Sequence, residues 1–250
     1  MNDPIVRQYY EKYWATGLTD WSPAGITITP FEEELIARFM PAASRVLDFG
    51  CGDGAHAARF VLSRHCSYTG VDLSQQAVAM CRAKGLEAFA YAAEEPLPFA
   101  SESFDNVLSF EVLEHLFDPE AALREIARVL RARGYLIGSV PNSVWLANRL
   151  LMASGRFSPG GSPATSLKAP WKDPHIRFFS KSTLSSLLLQ VGFHQCHIVG
   201  SDFSFLDFPV LYKSSGFCRW AISAAGWSFA RLGDWWPSVF SSRLYFAART

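Results

Sequence analysis

The fold of this chain follows from one stretch of ten residues, Arg45-Val46-Leu47-Asp48-Phe49-Gly50-Cys51-Gly52-Asp53-Gly54. Its apolar first half predicts a short buried β-strand, and three glycines follow at once. Because glycine has no Cβ, the backbone there can turn sharply and lie close to another group. The next residues, Ala55 to Ser63, predict a helix. A strand, a glycine loop and a helix in this order present loop amides and a helix N-terminus, which suit a nucleotide-like ligand.

The glycine loop has two interpretations. Gly50 to Ala55 matches G-x-G-x-x-G/A and Asp72 follows at the spacing typical of dinucleotide-binding domains. The same residues match D-x-G-x-G-x-G with Asp48 in first place, which resembles the first motif of class I S-adenosylmethionine-dependent methyltransferases. A carboxylate at Asp48 suits a ligand that carries an ammonium and a sulfonium, whereas beside a pyrophosphate it would place like charges in one loop. An NAD(P)-binding oxidoreductase and a homologue that binds cofactor without catalysis remain the alternatives.

Composition narrows the functional class. The 250 residues include 23 Lys+Arg and 23 Asp+Glu, so the chain lacks the basic excess typical of nucleic-acid binding. Its five cysteines include no C-x-x-C pair, which indicates reduced thiols of an intracellular protein. The first residues, up to Trp14, carry charges and three tyrosines and do not read as a signal peptide. We therefore expect a cytoplasmic protein for which nucleic acid is not the partner.

Strand-like and helix-like segments alternate along the chain, which predicts an α/β fold with a doubly wound, mostly parallel, seven-stranded sheet. We expect one domain with N-terminal helices. Residues 1–40 would form a helical cap that either packs against the sheet or closes over a ligand, and residues 41–140 the cofactor-binding half. Residues 141–180 include a long loop rich in Gly, Ser and Pro, which is typical of a lid over an acceptor site.

The stretch before the predicted fourth strand makes the resemblance more specific. Glu94-Glu95, then Leu97-Pro98-Phe99, then Ser103-Phe104-Asp105 is similar to the type 11, ubiquinone-methylase-like branch of class I methyltransferases. The resemblance implies a Rossmann-like methyltransferase fold and S-adenosylmethionine as cofactor. That branch usually has an acid near Ala92 or Ala93 for the adenine, and here Glu94 would have to serve. The residues that the resemblance places at the cofactor are Asp48, Gly50, Cys51, Gly52, Gly54, Asp72 (at the ribose), Leu73, Ala93, Glu94, Phe110 and Glu111.

The segment Glu111-Val112-Leu113-Glu114-His115-Leu116, after the fourth strand, is the candidate for catalysis. If it is helical, Glu111, Glu114 and His115 share one face. One hypothesis makes His115, with Glu114, a base or substrate contact for an oxygen acceptor. The other is a divalent cation: E-x-x-E-H resembles the metal-binding motif of ubiquinone-biosynthesis O-methyltransferases and small-RNA 3′-end methyltransferases. With His175 after Pro141-Asn142, the ligands implied are Glu111, Glu114, His115 and His175.

Residues 201–240 form an aromatic-rich C-terminal insertion, expected to be helical, before the last strand. Within residues 203–240, Trp and Phe recur at helical spacing, and arginines flank them at 219 and 231. One interpretation packs this segment against the sheet as a wall of the acceptor pocket. The other is a helix lying at a membrane surface, which would give peripheral membrane contact and favour a lipid-linked acceptor over another small molecule.

Overall fold

The computed structural model describes residues 4–16, 29–92, 95–155, 174–200 and 236–250. Several expectations fall on other residues. The predicted adenine contacts Ala93 and Glu94, most of the predicted acceptor loop, and all but the last few residues of the aromatic insertion lie outside the described part of the chain.

Seven strands form one sheet, in the order β3-β2-β1-β4-β5-β7-β6. The first five strands pair in parallel, and β7 is antiparallel to both of its neighbours. The predicted fold class, a mostly parallel seven-stranded sheet, is confirmed. The strands are β1 Arg45–Phe49, β2 Ser67–Asp72, β3 Glu87–Ala90, β4 Phe104–Phe110, β5 Leu130–Pro141, β6 His194–Gly200 and β7 Arg243–Arg249.

Helices connect the strands and begin at residues that cap them. Ser74 accepts a hydrogen bond from the amide of Ala77, Asp118 from that of Ala121, and Ser180 from that of Thr183. The described helices are α1 Pro4–Thr16, α2 Pro30–Phe39, α3 Ala55–Ser63, α4 Gln75–Ala83, α5 Pro119–Val129, α6 Leu146–Ala153, α7 Lys181–Val191 and α8 Pro237–Phe240.

One predicted boundary is wrong. The periodicity after Asp118 predicts a helix to about Arg131, but α5 ends at Val129 and β5 begins at Leu130. Leu130 pairs with Phe104 at the start of β4, and the register then shifts before Tyr135 pairs with Asn106. Residues that local spacing assigns to the end of the helix therefore belong to strand β5.

Both faces of the sheet are buried, as a doubly wound sheet requires. On one face, Leu47 and Val107 pack with Leu123 and Ile126 of α5. On the other, Val46 packs with Val61 of α3 and with apolar residues of α2. The chain after β1 thus turns to one face and the chain after β4 to the opposite face.

Doubly wound sheets bind ligands in a crevice at the carboxyl ends of the two strands after which the chain turns to opposite faces, here β1 and β4. The loops that follow these two strands touch, because a Cβ on Gly50 would overlap the side chain of Val112. The fold thereby brings the glycine loop and the predicted catalytic segment together. No helix among the described residues is long and apolar enough to cross a membrane.

Candidate functional site

The glycine loop is a tight turn at the end of β1. The amides of Gly50 and Cys51 both donate to the carbonyl of Val71, at 2.8 and 3.0 Å. Gly50 and Gly52 have φ angles of +81° and +53°, a backbone conformation that residues with a Cβ rarely adopt. The turn therefore needs glycine at these two positions, as the sequence predicts.

Asp48 lies beneath this loop. Its carboxylate is 5% exposed and accepts a hydrogen bond of 2.8 Å from the Tyr68 hydroxyl. Burial, together with the neighbouring Asp48 charge, raises the pKa of Tyr68. Cys51 is buried beside Gly70, where a Cβ would come within 2.7 Å of its sulfur. The Asp48 carboxylate is thus buried beneath the loop and bonded to Tyr68, where it supports the turn.

Asp72 joins the loop to the next helix. One carboxylate oxygen accepts from the amide of Gly52 and the other from that of Ser74, both at 2.9 Å. Burial raises the pKa of Asp72, although the amide hydrogen bonds act in the opposite direction. Leu73 beside it is half-buried. Asp72 thus stands at the carboxyl edge of β2, where the sequence predicts a ribose contact.

Helix α1 lies over the loop, and the sequence does not reveal this contact. A Cβ on Gly52 would come within 2.6 Å of the Trp14 ring. The Tyr10 ring contacts the His115 ring edge-on, with centroids 5.9 Å apart. Burial raises the pKa of Tyr10, and the charges of Glu114 and Asp72 add to the effect. Tyr10 and Trp14 are four residues apart and so share a helix face, which is the only signal of this arrangement in the sequence.

Glu111 departs from the predicted helical face. It has φ of +55° and precedes the only regular turn of this segment, a 3₁₀ turn at Leu113–His115. Its carboxylate accepts from the Ser139 hydroxyl at 2.8 Å and pairs with Arg243 at 3.1 Å. Glu111 therefore does not share a helical face with Glu114 and His115, and it lies outside the cluster that these two residues form with His175. Its partners lie on β5 and β7, and no local pattern in the sequence indicates them.

Glu114, His115 and His175 come together. The Glu114 carboxylate is 1% exposed, and no hydrogen-bond donor of the described residues reaches either of its oxygens. Its Oε1 lies 3.8 Å from Nε2 of His115 and 3.9 Å from Nε2 of His175. The two imidazole rings stack with centroids 4.7 Å apart. Burial, followed by the Glu111 charge, raises the pKa of Glu114 well above its usual range.

The segment that carries His175 is bound to the 3₁₀ turn. The amides of Ile176 and Arg177 both donate to the carbonyl of Glu114, at 2.9 and 3.0 Å. The carbonyl of Pro174 lies 3.3 Å from Nδ1 of His115. Two segments about 60 residues apart in the chain thereby build one cluster.

This cluster fits the donor set of a divalent cation. One carboxylate oxygen and one nitrogen from each histidine lie within 4.8 Å of one another. Two imidazoles and a carboxylate are ligands that Zn²⁺, Mn²⁺ and Fe²⁺ accept. Three of the four predicted metal ligands are therefore brought together.

Comparison with known proteins agrees with this architecture. The methyltransferase domain family matches residues 47–138. A probable S-adenosylmethionine-dependent methyltransferase of Mycobacterium tuberculosis is 36% identical over 154 residues, which are 60% of this chain and 49% of the relative. A fatty-acid O-methyltransferase of Mycolicibacterium smegmatis is 39% identical over 99 residues, or 37% of this chain and 35% of the relative. The chain thus spans about half the length, or less, of these curated relatives.

Solved structures share the fold. A methyltransferase from Archaeoglobus fulgidus superposes with a TM-score of 0.61 at 17% identity, covering 88% of this chain and 93% of that one. The matched family segment runs from β1 into β5 and contains the glycine loop, Asp72 and the Glu114–His115 pair. Residues 47–138, which are less than half of the chain, therefore resemble a methyltransferase domain, and the described part of the chain shares the fold of the solved methyltransferase.

Proposed function

We propose that this protein transfers the methyl group of S-adenosylmethionine to an oxygen atom of a small-molecule or lipid-linked acceptor. One observation carries the proposal: the Glu114–His115 pair lies next to the glycine loop, since Gly50 lies against Val112. The Tyr10 ring contacts His115, and the charges of Glu114 and Asp72 both raise the pKa of Tyr10. A proton acceptor would therefore stand beside the point where the methyl group is delivered.

On the cofactor side, the loop from Gly50 to Gly54 would bind S-adenosylmethionine through its backbone. Asp72 would accept hydrogen bonds from the ribose hydroxyls. Leu73, Phe110 and Glu111 would line the site, with Ala93 and Glu94 at the adenine. Asp48 would act through the loop that it supports rather than by direct contact.

The chemistry follows from the placement of His115. A carbonyl oxygen can only accept, so the contact with Pro174 favours a proton on Nδ1 of His115 and leaves Nε2 with a lone pair. An acceptor hydroxyl would pass its proton to Nε2 while its oxygen attacks the methyl carbon. The carbon–sulfur bond then breaks, its electron pair stays on sulfur, and S-adenosylhomocysteine leaves. The neighbouring Glu114 would stabilise the imidazolium that forms.

Two oxygen acceptors differ in what they demand of His115. A hydroxyl needs a base, and general-base catalysis contributes about 10²–10⁴-fold. A carboxylate, such as that of a fatty acid, is already deprotonated at neutral pH, so His115 would only position it. The fatty-acid O-methyltransferase relative supports an apolar acceptor, and His115 favours the hydroxyl class.

The same side chains allow a divalent cation. Glu114, His115 and His175 would hold it, and a bound cation would lower the pKa of an acceptor hydroxyl. Incubation with a chelator separates this arrangement from catalysis by His115 alone. If activity falls and Zn²⁺ or Mn²⁺ restores it, the cation belongs to the site.

A panel of hydroxyl, carboxyl and amine acceptors with methyl-labelled cofactor tests the function. We expect label in an oxygen-linked product, and about 10²–10⁴-fold lower kcat for His115→Ala with a hydroxyl acceptor. His194→Ala is the matched control, because His194 is exposed at the far edge of the sheet. Transfer to amines alone, or full activity of His115→Ala on a hydroxyl, would contradict the proposal.

A further inference from the structure

The carboxylate of Glu11 attaches helix α1 to the N-terminus of helix α4. One oxygen of Glu11 accepts from the amide of Gln75 at 2.7 Å. The other accepts from the amide of Gln76 at 3.0 Å and from the Ser74 hydroxyl at 2.8 Å. The negative charge therefore lies on the positive end of the α4 dipole.

Helix α4 does not need this contact for its own cap. Ser74 already caps it locally by accepting from the amide of Ala77. The Glu11 contact joins groups more than 60 residues apart, so its main effect is on the position of α1.

Helix α1 lies at the surface of the described part of the chain. None of the side chains described in α1, from Val6 to Ala15, is fully buried. Its contacts with the rest of the protein include the Trp14 ring against Gly52 and the Tyr10 ring against His115. An element with few buried apolar contacts opens at low free-energy cost. The Glu11 contact can therefore hold α1 against α4 and can also break without unfolding the rest of the protein.

We propose that Glu11 is a positioning residue that closes α1 over bound S-adenosylmethionine. With Glu11 on α4, Trp14 covers the glycine loop and Tyr10 contacts His115. When Glu11 leaves the helix end, α1 lifts and the cofactor exchanges. Closure would also keep water from the reacting groups. This proposal rests on the proposed function, since it takes S-adenosylmethionine as the ligand.

The test compares cofactor dissociation, measured by stopped-flow displacement, in wild type and three variants. We expect Glu11→Ala to release S-adenosylmethionine about 10–100 times faster, the scale of losing hydrogen bonds to a charged group. KM for the cofactor should rise by a similar factor, while kcat changes less than about threefold. Glu11→Gln keeps a carbonyl oxygen and should restore part of the effect. Gln8→Ala, exposed on the same helix, is the matched control and should match wild type.

Hydrogen exchange gives a second readout. In wild type the cofactor should slow exchange in residues 4–16 and at the amides of Gln75 and Gln76, and in Glu11→Ala this coupled protection should be lost. Wild-type dissociation from Glu11→Ala would overturn the proposal and leave the proposed function intact. A fall of Tm by more than about 10 °C in Glu11→Ala would make the residue structural and would also overturn it. Failure of the wild type to bind S-adenosylmethionine at all would overturn both proposals.

Discussion

Replacement of Asp72 by asparagine tests how one carboxylate connects the loop to the cofactor. Asp72→Asn keeps the shape of the side chain but turns one acceptor into a donor. One of the two amides that it now binds, that of Gly52 or that of Ser74, would then face an NH₂ group. A buried N–H without an acceptor costs about 1–3 kcal/mol. In a chain of this size that lowers Tm by about 2–10 °C.

The expected loss of cofactor affinity is separate from this loss of stability. Exchange of a charged acceptor for a neutral one at the ribose should weaken binding by about 1.5–3 kcal/mol, or roughly 10–150-fold in Kd. Isothermal titration with S-adenosylhomocysteine measures this, and thermal unfolding measures the first effect.

Glu87→Gln is the matched control for Asp72→Asn. Glu87 is an exposed carboxylate at the amino end of the neighbouring strand, bound to the Thr69 hydroxyl. Glu87→Gln also removes one negative charge, but at the opposite edge of the sheet, and it should leave the Kd for the cofactor unchanged. If Asp72→Asn lowers Tm but binds cofactor with wild-type affinity, Asp72 only anchors the loop, and the assignment of the ribose to it is refuted.

Three further changes test other parts of the site. Gly50→Ala should abolish cofactor binding, because the φ of Gly50 is +81° and the new Cβ would overlap Val112. The control is Gly85→Ala: Gly85 has φ of +78° with open space around it, so this change should cost about 1 kcal/mol of stability and no cofactor affinity. Equal cofactor affinity of the two variants would contradict the steric argument. Glu114→Gln should leave the free energy of unfolding within about 1 kcal/mol of wild type or raise it, because the carboxyl that it replaces is buried without donors and burial disfavours its charged form. Turnover should fall. A loss above about 3 kcal/mol in urea unfolding would show that the carboxyl group has a strong partner. Burial alone would raise the pKa of Glu11, but the amides of Gln76 and Gln75 and the Ser74 hydroxyl lower it. The stability difference between wild type and Glu11→Gln should therefore be full at pH 7, begin to shrink below about pH 4 and be lost as the pH falls through the lowered pKa of Glu11. A difference that is as large at pH 3 as at pH 7 would exclude the carboxylate as its source.

Most of the fold can be predicted from local patterns in the sequence. The glycine loop, the strand before it and the helix Ala55–Ser63 follow from apolar spacing and the run of glycines, and the structure has them where the sequence predicts. Such signals are local, because a strand ends and a helix begins through residues adjacent in the chain. The seven-stranded sheet follows from their alternation.

The candidate site is harder to predict from the sequence, because its contacts join segments that are far apart in the chain. Glu114 and His115 are adjacent, and a motif marks them, but the binding of residues 174–177 to their turn depends on backbone groups that carry no sequence signal. Glu111 looks like a member of the same helical face until its positive φ and its bond to Arg243 are known. The sequence around Tyr10, Glu11 and Trp14 predicts an ordinary amphipathic helix. No local pattern indicates that Glu11 binds the N-terminus of α4.

Direct titration of the protein with cofactor tests the central claim, that the crevice between β1 and β4 binds S-adenosylmethionine. Calorimetry with S-adenosylmethionine, S-adenosylhomocysteine and NAD⁺ under one condition is the measurement. The account predicts one site that binds the first two compounds in competition, with NAD⁺ much weaker or without detectable heat. Tighter binding of NAD⁺, or no binding of either adenosyl compound at millimolar concentration, would contradict it.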